Sequence, residues 1–173
     1  ALSVASVDND GMEQLYFTVN GRQIGYADSA MLSSQKFLRR FAEEKTQQFV
    51  VVPGYGMAAD YEDIDVQGKI AVVSRGGGSE ATFPVKQANA QNAGAIACIV
   101  YNNVPGIINM QINQGEDFIP CVSISREDGM YLVEQGSGTL TVCDGDLIKV
   151  KMDRMISDFS SWGVAPDLTL KPE

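Results

Sequence analysis

The sequence predicts a β-rich domain of mixed α/β class, a closed or nearly closed sheet with short helices at its edges. Three observations lead there. From Phe49 onward, short apolar runs, some alternating and some continuous, recur between turns. An Asn-Gly pair separates two more such runs near the start. Only three segments carry helical spacing or caps.

Taken in order, residues 1–8 (ALSVASVD) read as a buried strand of small residues, broken by Asp8-Asn9-Asp10-Gly11. LYFTV (15–19), Asn20-Gly21 and RQIGYA (22–27) spell a β-hairpin, because both turn residues tolerate positive φ. Ser33-Ser34 can cap a short helix over 35–45, with Phe37, Leu38 and Phe41 on one face. Strands are expected at 49–52, 69–74, 95–101, 119–124, 139–143 and 147–152. Asp144-Gly145, between the last two, implies a second hairpin. One helix is expected from Phe83 to Asn92, with Pro84 in its first turn, where a missing N–H costs nothing, and Gly94 near its end. Another starts at Ser125, whose spacing to Asp128 resembles a capping box, and stops at Gly136. The last stretch, through residue 173, carries turn residues and no clear period, and lies apart from the compact core.

Composition narrows the function. Apolar residues make up 45% and charged residues 20% of the 173, as in ordinary globular domains. No apolar run approaches the roughly 20 residues that span a bilayer. No basic-then-apolar leader opens the sequence, so a secretion signal is expected outside it. The 22 acidic against 13 basic side chains give a net charge of −9, which repels phosphate backbones and anionic lipid. Nucleic acid and membrane insertion are therefore not expected.

There is no histidine. Ser-His-Asp and Cys-His catalysis lose their usual base, and a zinc site loses its commonest ligand. No catalytic residue, metal ligand or cofactor is assigned. Cys98, Cys121 and Cys143 lie in apolar stretches without CxxC spacing. Buried free thiols are expected, with one bridge left open.

Gly54-Tyr55-Gly56-Met57-Ala58-Ala59 matches the dinucleotide pattern G-x-G-x-x-A. An acidic stretch follows instead of a long helix, so a glycine turn is the better reading. Asp60, Glu62, Asp63 and Asp65 read as a solvated acidic turn, with calcium left open, since the EF-hand order is missing. Arg75-Gly76-Gly77-Gly78 lacks the Lys-Ser/Thr of a P-loop. It is a flexible connection, or a place where Arg75 and bare amides hold a carboxylate or a peptide carbonyl. Asn102-Asn103 opens a turn that can double as a binding loop.

Residues 66–103, VQGKIAVVSRGGGSEATFPVKQANAQNAGAIACIVYNN, resemble protease-associated (PA) domains. Gly68, Lys69, Ile70, Arg75, Gly76, Phe83, Lys86, Ala93, Gly94, Ala95, Tyr101 and Asn102 fall on that family's pattern. The resemblance continues through IPCVSISREDGMYL and covers about 50–145; the triple glycine and Glu80 depart from the typical loop. ALSVASVD and DFSSWGVAPDLTLKPE are similar to parts of the subtilisin-like (subtilase) catalytic core, Val164 and Glu173 departing from it. This implies a PA domain (49–154) inserted in a subtilisin-like serine protease, with catalytic-core flanks at 1–8 and 155–173 and a hairpin and helix at 9–48 before the PA core. Ser160 and Ser161 are not the nucleophile on this reading.

The resemblance implies a β-barrel-like sheet flanked by short helices, secreted or cell-envelope location, and a non-catalytic role controlling substrate access or binding extended polypeptide. The catalytic domain of the parent protease and protein or peptide substrates would be its partners. Arg75, Gly76, Gly77, Gly78, Asn102 and Asn103 are the candidate substrate-binding residues. The alternative is a structural insert that braces the protease or mediates its dimerisation.

Overall fold

A computed structural model describes residues 11–28, 36–106, 108 and 110–151. The expected strand at 1–8, the Ser33-Ser34 cap and the 155–173 flank lie outside these residues.

Seven strands close into a barrel in the order β1-β2-β6-β5-β4-β3-β7. They are β1 (Gly11–Val19), β2 (Arg22–Asp28), β3 (Thr46–Val51), β4 (Ile70–Ser74), β5 (Ala97–Tyr101), β6 (Cys121–Ile124) and β7 (Ser137–Lys151). β3, β4, β5 and β6 run parallel to one another, and the remaining pairs are antiparallel. The helices are α1 (Lys36–Arg40), α2 (Phe83–Asn92) and α3 (Arg126–Gln135), with a 3₁₀ turn at Ala58–Tyr61. No helix among the described residues is long and apolar enough to cross a membrane.

The continuous apolar runs have a simple cause. Strand side chains alternate between faces, and both faces of the parallel strands are covered. Ile70, Val72, Ala97, Ile99 and Val122 join the barrel interior with Phe17, Phe49 and Leu140. Their neighbours Ala71, Val73, Cys98, Val100 and Cys121 form an outer core with Ala90 of α2. Phe17, Phe37, Phe41 and Phe49 are almost wholly buried, each stabilising by about 1.5–3 kcal/mol relative to an exposed ring.

The β1–β2 hairpin forms as expected, with Asn20 at φ 53° and Gly21 at φ 83°. It is part of the barrel, pairing with β6 on one side and β7 on the other. The α2 bounds match the expected ones, and Thr82 caps it by accepting from Val85 N–H at 3.4 Å. Ser125 caps α3, accepting from Asp128 N–H at 3.1 Å, and Gly136 ends it at φ 72°.

Two expectations are corrected. The helix foreseen over 35–45 stops at Arg40, because Lys45 O accepts from Val142 N–H and Thr46 enters the sheet beside Thr141. Phe37 and Phe41 still share a buried face. The hairpin at Asp144-Gly145 does not form: Ser137–Lys151 is one strand. Its two halves pair with the same partner, Val142 with Phe17 and Leu147 with Leu15. β7 thus advances five residues while β1 advances two, and Asp144-Gly145 occupies the resulting bulge. Beyond it, β1 and β7 continue as a two-stranded ribbon whose tip pairs Gly11 with Lys151.

Candidate functional site

Because β3, β4 and β5 are parallel, the loops after them gather at one end of the barrel. These loops are 52–57, 75–80 and 102–106, and they hold all six residues singled out in the sequence. Arg75 continues the β4–β5 ladder, its N–H donating to Tyr101 O at 2.9 Å. Its Nη1 donates to Asn102 Oδ1 at 3.0 Å. Asn102 is buried and shapes its own loop, donating through Nδ2 to Gly106 O at 2.8 Å and accepting from Val104 N–H at 3.3 Å.

Gly76, Gly77 and Gly78 follow at φ 114°, 99° and 86°, where L side chains are strained. Space adds a second constraint at Gly77, where a Cβ would lie 2.8 Å from both Ala81 Cβ and Tyr55 Cβ. At Gly76 a Cβ would lie 3.0 Å from Asn103 Nδ2 and Tyr55 Cε1, whereas at Gly78 it would meet nothing. Asn103 and Tyr55 therefore border the glycine loop, and Tyr55 leaves 45% of its surface exposed.

Two residues at this end were not among the candidate substrate-binding residues, Tyr55 and Lys86. Lys86 sits in the first turns of α2 with 0% exposure. Its Nζ donates to Tyr55 O at 2.6 Å and Gly76 O at 2.8 Å, tying the first loop to the second. It also lies 5.6 Å from the Tyr55 ring centroid. Burial pushes its pKa below the ordinary lysine value, with Cys98 and Asp60 opposing. The signal for such a lysine was slight, since a charged side chain normally marks the solvent face of a helix.

The G-x-G-x-x-A segment is a closed turn. Asp60 Oδ2 accepts from Tyr55 N–H at 3.2 Å and Met57 N–H at 2.9 Å, so a carboxylate occupies amides that a phosphate would need. Asp65 accepts from Gln67 N–H and pairs with Lys69 at 3.7 Å. Among the described residues, no three His, Cys, Asp or Glu side chains gather as a metal site would require.

The 102–120 connection divides between the two ends of the barrel. Its later part is strapped to α2: Gln87 Nε2 donates to Ile119 O at 2.9 Å, and Gln91 Nε2 donates to Asp117 O at 2.8 Å. Between that strap and α1, by the start of β6, lies a cavity of about 380 Å³ that includes Arg39, Arg40 and Phe118. All three cysteines are free. Cys98 and Cys121 lie in register on neighbouring strands, and their mutual hydrogen bond, with burial, pushes the Cys121 thiol well up.

Comparison with known families places residues 45–132 within the PA domain. The chain belongs to the PA domain family. This PA domain is 32% identical, over 99% of its length, to the C5a peptidase of Streptococcus pyogenes serotype M1, of which it spans 14%. It is 36% identical, over 69% of its length, to the minor extracellular protease Vpr of Bacillus subtilis, spanning 15% of that protein. The PII-type proteinase of Lacticaseibacillus paracasei is 32% identical over the whole chain, which spans 10% of it. Among solved structures, the zinc aminopeptidase BSAP of Bacillus subtilis matches 87% of the chain and 36% of its own, at TM-score 0.55 and 26% identity. An aminopeptidase from Aneurinibacillus sp. strain AM-1 shares the fold at TM-score 0.53 and 24% identity, over 82% of this chain and 35% of its own.

Proposed function

We propose that this chain is the non-catalytic PA domain of a secreted subtilisin-like serine protease, and that it binds extended polypeptide at the mouth formed by Tyr55, Arg75–Gly78 and Asn102–Asn103. The observation that carries the reading is the joining of the two loops by the Arg75–Asn102 bond, with the exposed Tyr55 bordering the glycine loop. An aromatic face beside hydrogen-bonding backbone suits a peptide, whose side chains need apolar contact and whose carbonyls need donors. With no histidine in the chain, the cutting machinery would lie in the catalytic domain, the domain's principal partner. The PA core would span 49–154, with residues 9–48 before it and flanks of the catalytic domain at 1–8 and 155–173. The relatives' names support secretion or cell-envelope location, one of them being called extracellular.

One small face must overcome the whole ordering cost of a flexible peptide, so affinity is weak, in the millimolar range. Amide NMR shifts of the 173-residue chain, recorded while a blocked neutral decapeptide is added, test this. Shifts confined to Tyr55, Arg75–Gly78 and Asn102–Val104 support it; none at millimolar peptide refutes it.

A further inference from the structure

The cations of this chain are not held alike. Arg22 pairs with Asp128 at 2.9 Å, Lys69 with Asp65 at 3.7 Å and Arg39 with Glu116 at 3.9 Å. The two cations at the mouth are instead held by neutral oxygens. Arg75 donates to the Asn102 amide oxygen, and Lys86 to two backbone carbonyls. The neighbouring carboxylate, Asp60, is turned to the amides of Tyr55 and Met57. In a chain of net charge −9, two cations without an ion pair among the described residues thus lie at one barrel end.

The loop they flank adds donors. Lys86 takes the carbonyl of Gly76, and Ala81 N–H that of Gly78 at 3.1 Å. The amides of Gly76, Gly77 and Gly78 have no acceptor among the described residues. With no Cβ over them, a ligand atom can approach this backbone closely. With the Gly76 and Gly78 carbonyls engaged and three successive amides unpaired, this stretch of backbone offers more donors than acceptors. Its complement carries lone pairs and negative charge.

Resting on the polypeptide-binding reading above, we infer that the mouth selects peptides bearing a carboxylate, with Arg75 and the Gly76–Gly78 amides as its direct donors and Lys86 as the positioning residue that holds the loops and supplies field from beneath. The carboxylate can belong to an acidic side chain or to a chain terminus.

The test is a titration of the 173-residue chain at about 0.1 M salt, followed by amide shifts, with three probes. These are a blocked alanine pentapeptide with glutamate at its centre, the same peptide with glutamine, and an N-acetylated alanine pentapeptide with a free C-terminus. The glutamate peptide should bind roughly tenfold more tightly than the glutamine one, the worth of one charge-assisted hydrogen bond. The free C-terminus should match it if a terminus is the natural ligand group and fall behind if a side chain is. Arg75→Gln should abolish the preference. Lys86→Met should weaken it while lowering the NMR order parameters of the Gly76–Gly78 amides, which a merely electrostatic role would not do. Arg75→Gln and the three peptides decide the matter even where Lys86→Met fails to fold. A glutamine peptide that binds as tightly as both carboxylate-bearing peptides would overturn the selectivity and leave polypeptide binding standing. No shift with any probe would remove both. A preference that survives Arg75→Gln would also overturn the assignment, because the carboxylate would then sit elsewhere.

Discussion

Gly129 of α3 lies so close to Tyr101 of β5 that a methyl group at residue 129 would overlap the tyrosine side chain. This contact seats the helix on the barrel at the strand whose next residue is Asn102 of the mouth. Gly129→Ala should therefore destabilise the domain despite alanine's better helix propensity, by about 1–3 kcal/mol from overpacking. Urea unfolding of the variant checks it, and a gain in stability would show that the helix can shift without loss.

The glycine loop should rank its substitutions. Gly78→Ala meets only the backbone penalty of positive φ, about 1–2 kcal/mol. Gly77→Ala meets that penalty and the contacts with Tyr55 and Ala81. Unfolding midpoints should fall further for residue 77 than for 78, and peptide-induced shifts of Tyr55 should change only in the former.

Alkaline stability should carry two opposite signatures. Burial raises the pKa of Tyr26 and Tyr61 above the ordinary 10.0, so the folded state keeps protons that the unfolded chain releases. Their contribution is complete below pH 10 and is lost as pH climbs beyond it. Lys86 is lowered from 10.5, so the folded state releases its proton first. Stability should rise with pH over the window just below 10.5 on its account. Tyr26→Phe and Tyr61→Phe should each flatten the alkaline loss. Both hydroxyls are buried without a partner among the described residues, so each change should also add up to about 1 kcal/mol near neutral pH. Urea titrations from pH 7 to 11 measure all three effects.

Thiol labelling should separate the cysteines. Cys98 and Cys121 are fully buried, whereas Cys143 is half-buried. A maleimide should modify Cys143 in the folded protein and reach the other two only as fast as the barrel opens. Rapid labelling of Cys98 would contradict the outer core described above.

Much of this architecture was legible in the sequence where the determining physics is local. Pro84 and Ser125-Asp128 announce helix starts by their own chemistry, and Asn20-Gly21 sets a turn with two residues. Asp144-Gly145 carries the same local message yet became a bulge, because β1 pairs on both sides of it, and nothing within the dipeptide reports that. Arg75, the glycines and the asparagines were legible as a candidate site, since a bare backbone beside a cation after a strand is unusual. Lys86 was not. Its burial depends on two carbonyls supplied by loops 31 and 10 residues away in sequence, and a helix pattern cannot show them.

The ribbon that pairs Gly11 with Lys151 brings the inward and outward paths of the polypeptide side by side, about 5 Å apart. A larger protein could accept this barrel by opening its own backbone by no more than one strand spacing. The surrounding structure would need no long detours, and the entropy of closing its interrupted loop would stay small. Carried on such a stem, the barrel can be added to an existing scaffold while leaving the host's strands where they were.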